Sequence, residues 1–127
     1  MNILIAEDNQ YTALQYDRVL TKCGHNVTIA KDGEECMEKY SNESGKSEFQ
    51  SIEKNPFDVV VLDQSMPKKT GAQAAGEILD KKPGRRIIFA SAYGLSAERD
   101  SQKFIEKVEF LQKPFSLTKL VKTVTGQ

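Results

Sequence analysis

The fold is decided by the stretch Phe57-Asp-Val-Val-Val-Leu-Asp-Gln-Ser-Met-Pro67. Residues 59–62 are four consecutive apolar side chains, three of them valine, which is typical of a central strand covered on both faces. Asp63 follows at the point where this strand would leave the sheet, and open α/β folds place their ligands outside that end of their strands. Pro67 prevents regular continuation of the strand. The stretch therefore predicts a buried strand that delivers one carboxylate to a surface crevice.

The composition is that of one ordinary globular domain. The chain has 127 residues, which is enough for a single hydrophobic core and predicts one domain over residues 1–127. Eighteen basic and 18 acidic residues give a formal net charge of zero, so direct binding of nucleic acid is not expected. No apolar run approaches ~20 residues, so membrane insertion is not expected either. Cys23 and Cys36 both lie in helical patterns and are predicted to be buried, reduced thiols, which fits a cytoplasmic protein.

Strands and helices are predicted to alternate along the whole chain. The predicted strands cover residues 2–6, 26–30, 59–62, 86–90 and 108–112. Helices are predicted after each strand, and the last two begin near Ser96 and Ser116. A chain of this kind builds a parallel sheet with helices on both faces, joined by right-handed crossovers.

Two helix starts have clear capping residues. Asn9 is predicted to cap the first helix, whose inner face would consist of Ala13, Tyr16, Leu20 and Cys23. Asp32 is predicted to cap the second helix, and Glu35 stands three residues later in capping-box spacing.

Residues 41–56 interrupt the regular pattern. They are polar, contain a glycine and are longer than the few residues that normally link a helix to the next strand. Either the second helix continues past Tyr40 or an extended surface loop protrudes. We favour a partly ordered loop.

Chemically active residues follow four of the five predicted strands. Glu7 and Asp8 follow the first strand, Asp63 the third, Ser91 the fourth and Lys113 the fifth. Taken singly, each could be a helix start, a turn residue or a solvated charge. In a parallel sheet, however, these strand ends meet at one edge. The sequence therefore predicts a site that combines three carboxylates, a hydroxyl and an ammonium group.

The chain resembles a response-regulator receiver domain of two-component signalling over nearly its whole length. The resemblance is carried by the segments Glu7-Asp8, Asp63 with Met66-Pro67 and Gly71, Ser91-Ala92, and Lys113-Pro114-Phe115. It implies a flavodoxin-like (βα)5 fold, an α/β fold with a doubly wound, parallel five-stranded sheet in the order 2-1-3-4-5. Because no output domain follows residue 127, a stand-alone receiver is expected, unless the chain was cut from a hybrid kinase or a longer regulator.

The crowded carboxylates predict a bound cation. Two unit charges ~4 Å apart repel by about 4 kcal/mol at an effective dielectric constant of ~20, and Lys113 can offset only one charge. Hard oxygen ligands suit Mg²⁺. The resemblance implies Asp8, Asp63 and the backbone carbonyl of Ser65 as direct ligands, with Glu7 acting mainly through water.

The resemblance also implies the roles of the remaining residues. Asp63 would be the nucleophile that takes a phosphoryl group from a histidine kinase or a histidine phosphotransfer protein. Lys113 would neutralise charge on the phosphoryl oxygens, and Ser91 would donate a hydrogen bond to them. The chain would thus catalyse its own Mg²⁺-dependent phosphorylation and dephosphorylation without being a conventional enzyme. A cis Lys113–Pro114 peptide is expected.

A switch and a binding face complete what the resemblance implies. Ser91 and Phe110 would move together on phosphorylation. A downstream protein would then bind the face made by the helix after Ser96, the fifth strand and the last helix. Phe110 lacks the hydroxyl of the tyrosine that is common at this position, so we expect its inward state to be well populated before phosphorylation.

Other functions fit the sequence less well. A receiver-like interaction module that binds partners without phosphorylation would have this fold, but a damaged pocket. A P-loop enzyme would need the motif G-x-x-x-x-G-K-[ST], which is absent. A haloacid-dehalogenase-type phosphatase would need a second acid at Ser65, and a flavodoxin would not place Glu7-Asp8 beside its phosphate. The cognate kinase, the downstream target and the dephosphorylation rate do not follow from the sequence.

Overall fold

The computed structural model describes residues 1–45, 57–64, 66, 68–81, 85–91 and 108–126. Five strands and four helices occur in these ranges. The strands are β1 (Asn2–Ala6), β2 (Asn26–Ala30), β3 (Val59–Asp63), β4 (Ile87–Ser91) and β5 (Glu109–Gln112). The helices are α1 (Gln10–Lys22), α2 (Gly33–Gly45), α3 (Gly71–Lys81) and α4 (Leu117–Thr125). The helix predicted after Ser96 lies outside the described residues.

The five strands form one parallel sheet in the order β2-β1-β3-β4-β5. This order confirms the flavodoxin-like topology that the resemblance implies. Strand β3 is central, and all five of its residues are buried. Its register places Val60 opposite Leu4 of β1 and opposite Ile87 of β4. Asp63 therefore reaches the middle of the edge where the strands end.

A separate hydrophobic core covers each face of the sheet. Side chains of β3 alternate between the two cores, with Val60 and Leu62 in one and Val59 and Val61 in the other. Residues of α2 and α3 fill the first core, including Cys36, Tyr40, Ala72, Ala75 and Ile78. Residues of α1 and α4 fill the second, including Tyr16, Leu20, Leu120 and Val124. Because helices cover both faces, the central strand reads as a continuous apolar run. In the described ranges, no helix is both long enough and apolar enough to cross a membrane.

The predicted capping residues are confirmed. The Asn9 side chain accepts a hydrogen bond from the Thr12 N–H at 3.0 Å, and the Asp32 side chain accepts one from the Glu35 N–H at 2.8 Å. The Glu35 carboxylate accepts from the Lys31 N–H at 3.2 Å. Both helices therefore begin where the sequence predicts, at side chains that satisfy otherwise unpaired backbone donors.

Only one of the two cysteines is buried. Cys36 lies in the first core, and burial raises the pKa of its thiol to about 12. Cys23 is exposed, so the prediction that it is buried is wrong. The helical periodicity that placed it on the inner face of α1 stops at Lys22, and Cys23 is the C-cap residue. Both cysteines are free thiols.

Helix α2 continues past Tyr40 and ends at Gly45. Residues 41–45 are therefore helical, whereas a loop was favoured for this segment, and residues 46–56 lie outside the described ranges. The rings of Tyr40 and Phe57 stack with centroids 6.2 Å apart. Buried Arg85 donates hydrogen bonds to the Tyr40 hydroxyl and the Phe57 carbonyl. These contacts join α2, which precedes residues 46–56 in the chain, to the start of β3, which follows them.

Candidate active site

Four strand ends meet at one edge of the sheet, as the sequence predicts. Glu7 follows β1, Asp63 ends β3, Ser91 ends β4 and Lys113 follows β5. Backbone hydrogen bonds join neighbouring strand ends. The Glu7 N–H donates to the Ala30 carbonyl at 3.0 Å, and the Lys113 N–H donates to the Ser91 carbonyl at 2.8 Å. The edge is thus fixed by the sheet itself.

Three carboxylates converge at this edge. Oxygen atoms of Glu7, Asp8 and Asp63, one from each side chain, lie within 4.8 Å of one another. Glu7 and Asp63 are buried, with 3% and 7% of their surface exposed, whereas Asp8 is exposed. The predicted fourth ligand, the backbone carbonyl of Ser65, lies outside the described residues. The side chains present form an acidic pocket that opens to solvent on the Asp8 side.

Lys113 contacts two of the three carboxylates. Its Nζ lies 3.2 Å from Oε1 of Glu7 and 3.3 Å from Oδ1 of Asp63. Burial lowers the pKa of Lys113, but the charges of Asp63 and Glu7 raise it, and the net shift is upward. The ammonium group therefore keeps its charge between two buried acids. One positive charge still faces three carboxylates.

The pocket resolves part of this imbalance by retaining a proton. Burial raises the pKa of Glu7 from 4.5 to about 7. A hydrogen bond to Asp63 and the Asp63 charge raise the pKa further, and Lys113 opposes the shift. When the pH falls below this pKa, protonated Glu7 can donate a hydrogen bond to the Asp63 carboxylate.

The donor set fits a divalent cation. Three carboxylates can each offer one oxygen, and oxygen is the ligand that Mg²⁺ prefers. Glu7 and Asp63 are both buried and share the single ammonium group of Lys113, so a divalent cation could offset the remaining negative charge. Residues Glu7, Asp8 and Asp63 could therefore hold Mg²⁺.

Ser91 and Phe110 occupy neighbouring strands beside the pocket. Ser91 is buried and follows Ala90, the residue that pairs with Asp63 in the sheet. Phe110 is half-buried and pairs with Phe89, and their ring centroids lie 5.6 Å apart. Phe110 thus packs on the first core. Its movement with Ser91 remains a prediction.

A groove adjoins the acidic pocket between α1 and the β5–α4 connection. Its volume is about 460 Å³, and Tyr16, Lys113 and Phe115 are among the residues that line it. Lys113–Pro114 is a cis peptide, as the resemblance implies. Burial and the charges of Glu7 and Asp63 raise the pKa of Tyr16. The groove therefore lies within electrostatic reach of the buried acids.

One contact of the site was not predicted from the sequence. Gln64 follows Asp63 directly and is buried, although its side chain is polar. Its side-chain oxygen accepts a hydrogen bond from the Ala72 N–H at 2.8 Å. A polar residue at the end of an apolar strand is a weak signal, and nothing in the spacing predicts that it reaches α3.

Comparison with known proteins identifies the family. The family model described as "Response regulator receiver domain" matches residues 3–125. Response regulator RR06 of Streptococcus pneumoniae is 34% identical over 124 residues, which are 98% of this chain and 51% of that protein. Chemotaxis protein CheY of Thermotoga maritima is 29% identical over 123 residues, which are 96% of this chain and 92% of that protein.

The fold is also shared with solved structures. The CheX-CheY-BeF3-Mg+2 complex of Borrelia burgdorferi has a TM-score of 0.81 and 29% identity, covering 99% of this chain and 87% of that one. TrrA of T. maritima in complex with Mg(2+)-BeF has a TM-score of 0.78 and 28% identity, covering 98% and 96%.

Some relatives are much longer than this chain. The match covers only 7% of hybrid signal transduction histidine kinase I of Dictyostelium discoideum and about half of RR06. The family model, in contrast, extends over residues 3–125 of the 127. The chain therefore belongs to the response regulator receiver domain family.

Proposed function

We propose that this receiver domain is the phosphoacceptor of a two-component phosphorelay and that Asp63 takes the phosphoryl group. The donor would be the phosphohistidine of a histidine kinase or of a histidine phosphotransfer protein. One observation carries the proposal. Asp63 ends the central strand inside a cluster of carboxylates, with the Lys113 ammonium 3.3 Å from its Oδ1.

The residues present can perform the transfer. A carboxylate oxygen of Asp63 forms a bond to phosphorus while the P–N bond of the phosphohistidine breaks, and the imidazole leaves with the electron pair. Lys113 neutralises charge on the phosphoryl oxygens from its place beside Asp63. Ser91 donates a hydroxyl hydrogen bond to the attached group. Hydrolysis of the same acyl phosphate returns the free aspartate.

Mg²⁺ is the proposed cofactor. Asp8, Asp63 and the backbone carbonyl of Ser65 would hold it directly, and Glu7 mainly through water. When bound, the cation supplies positive charge to the acidic pocket and to the transferring group. The acidic cluster supports this assignment. So do two similar receiver structures, from B. burgdorferi and T. maritima, that were solved in complex with Mg²⁺ and beryllofluoride.

Phosphorylation would be read out by a partner protein. Movement of Ser91 and Phe110 would change the face made by the segment between β4 and β5, strand β5 and helix α4. The similar CheY structure from B. burgdorferi is a complex with a second protein, CheX, which supports a protein partner for this chain.

A binding module without phosphorylation is the alternative function. Such a module has no need of an intact pocket. Here Lys113 contacts both Glu7 and Asp63, and both acids are buried at a cost in solvation. This arrangement favours the phosphoacceptor.

The test is phosphorylation by a small donor. Wild type, Asp63→Asn and Asp58→Asn are incubated with Mg²⁺ and acetyl phosphate, and the intact mass is measured. Asp58 directly precedes β3 and so lies at the opposite end of this strand from Asp63. Its Oδ2 accepts a hydrogen bond from the Asn2 N–H at 2.7 Å, away from the acidic pocket, so Asp58→Asn is the matched control. We expect wild type and the control to gain one phosphoryl group and Asp63→Asn to gain none. Labelling of Asp63→Asn to the wild-type level would overturn the assignment.

A further inference from the structure

We propose that Gln64 is a positioning residue for the phosphoacceptor site, which holds the start of α3 against the end of β3. The inference rests on the proposed function, because it concerns the geometry around Asp63. Gln64 itself contacts the backbone of α3 and β4 and is not proposed to touch the phosphoryl group.

Gln64 makes hydrogen bonds to strand β4 and to the start of α3. Its N–H donates to the Ala90 carbonyl of β4 at 3.2 Å, and its carbonyl accepts from the Gly71 N–H at 3.2 Å. Its side-chain Oε1 accepts from the Ala72 N–H at 2.8 Å. The main chain and side chain of one residue therefore satisfy two successive N–H groups at the start of α3, which have no partner within the helix. The same residue is bonded to β4 next to Ser91.

The start of α3 lies in direct contact with Asp63 and Gln64. A Cβ added to Gly71 would lie 2.7 Å from the carbonyl oxygen of Asp63 and 3.0 Å from both the Cα and the Oε1 of Gln64. Real Cβ atoms do not approach backbone atoms so closely, so only glycine permits this contact. The first turn of α3 thus rests on the peptide group that joins Asp63 to Gln64.

The connection between Gln64 and Gly71 is anchored on its other side by charged residues. Nζ of Lys68 lies 3.8 Å from Asp32 and 3.6 Å from Glu34, and the φ angle of Lys68 is 68°. A Cβ on Gly33 would overlap the Lys69 carbonyl oxygen, so α2 also packs closely on this connection. Among the described residues of this connection, Lys68 and Lys69 thus lie against the start of α2, and Gln64 is covalently joined to Asp63.

This arrangement predicts a functional effect beyond stability. The position of the Asp63 carboxylate depends on the peptide group that follows it, and that group is held by Gln64 and α3. Phosphoryl transfer is sensitive to small displacements of the reacting atoms. Residues that orient metal ligands through hydrogen bonds typically affect metal affinity when they are changed. Loss of the Gln64 acceptor should therefore weaken Mg²⁺ binding and slow transfer even at saturating Mg²⁺.

A matched pair of variants tests this inference. Gln64→Met keeps the approximate shape of the side chain and removes the acceptor. Gln73→Met makes the same change at the same helix end, where exposed Gln73 accepts from the Thr70 N–H at 2.9 Å. In the described part of the chain, no hydrogen bond joins the Gln73 side chain to β3. Mg²⁺ affinity is measured by calorimetry, and the phosphorylation rate with acetyl phosphate is measured at saturating Mg²⁺. Melting temperatures are recorded for both.

We expect Gln64→Met to bind Mg²⁺ about 10-fold more weakly and to be phosphorylated more slowly, while Gln73→Met matches wild type in both properties. Equal behaviour of the two variants would overturn the inference. Gly71→Ala displaces α3 from the same peptide group and is expected to have the same two defects. If Gln64→Met does not fold, Gly71→Ala serves as the test. A Gly71→Ala variant with wild-type Mg²⁺ affinity and a wild-type phosphorylation rate would overturn the inference. If wild type itself is not labelled, the proposed function fails, and calorimetry still tests the effect on Mg²⁺ affinity.

Discussion

The acidic pocket should make the metal-free protein less stable as the pH rises. Burial raises the pKa of Glu7 from 4.5 to about 7 in the folded state. Between these values the folded state binds more protons than the unfolded state, so the free energy of unfolding falls with increasing pH. The other resolved shifts act outside this interval. The pKa of Asp32 is lowered from 3.8, and that of Lys113 is raised from 10.5.

The size of the effect follows from the shift. One pKa unit is worth about 1.4 kcal/mol, so the full shift of Glu7, from 4.5 to about 7, corresponds to roughly 3.5 kcal/mol. About 2.5 kcal/mol of this loss should occur between pH 5 and pH 8. This is a large fraction of the ~5–15 kcal/mol that stabilises a typical domain.

The assay is urea unfolding in EDTA at several pH values from 5 to 8. Wild type should lose stability over this interval, and Glu7→Gln should be nearly insensitive to pH because the titrating group is gone. Glu38→Gln makes the same change at an exposed position of α2 and should follow wild type. Saturating Mg²⁺ should reduce the loss in wild type, because a cation then offsets the charge in place of the proton. A flat profile for metal-free wild type, or a wild-type slope in Glu7→Gln, would refute this reasoning.

Three further predictions concern the metal, the segment after α2 and the switch. In EDTA, Asp63→Asn should be more stable than wild type by about 1 kcal/mol because like charges are separated, and its melting temperature should rise less with Mg²⁺; an equal rise would argue against Asp63 as a ligand. Replacing residues 46–55 with a Gly-Ser segment of equal length should leave labelling by acetyl phosphate intact, because the rings of Tyr40, before the segment, and Phe57, after it, stack on each other and join the flanking elements; a folded but unlabelled protein would place the segment in the site. The ring resonances of Phe110 should change only modestly when the beryllofluoride phosphoryl mimic is added, because the ring packs on Phe89 and loses no hydroxyl hydrogen bond when it is buried; a complete outward-to-inward change would contradict this prediction.

The sheet was predictable because its signals are local. The apolar run of β3 needs helices on both faces, and Asn9 and Asp32 mark helix starts through hydrogen bonds to residues three positions away. The meeting of strand ends follows from parallel topology alone. The strand order came from the resemblance, since alternation of strands and helices does not determine which strand is central.

Contacts between distant segments could not be predicted in the same way. Cys23 continues the apolar spacing of α1, but the helix ends one residue earlier and exposes the thiol. The sequence shows that Lys113 follows a strand, yet only the structure shows that its ammonium contacts Glu7 as well as Asp63. Gln64 reaches a helix start eight residues away, and no periodicity reports such a contact.

The most direct test of the central claim is to locate the phosphoryl group. Wild-type protein is phosphorylated with acetyl phosphate and Mg²⁺, treated with borohydride to reduce any acyl phosphate to an alcohol, and mapped by peptide mass spectrometry. The account predicts reduction at position 63 alone, because Asp63 is the buried acid that ends the central strand beside Lys113. Reduction at Asp8 or Asp58, with position 63 unchanged, would contradict it.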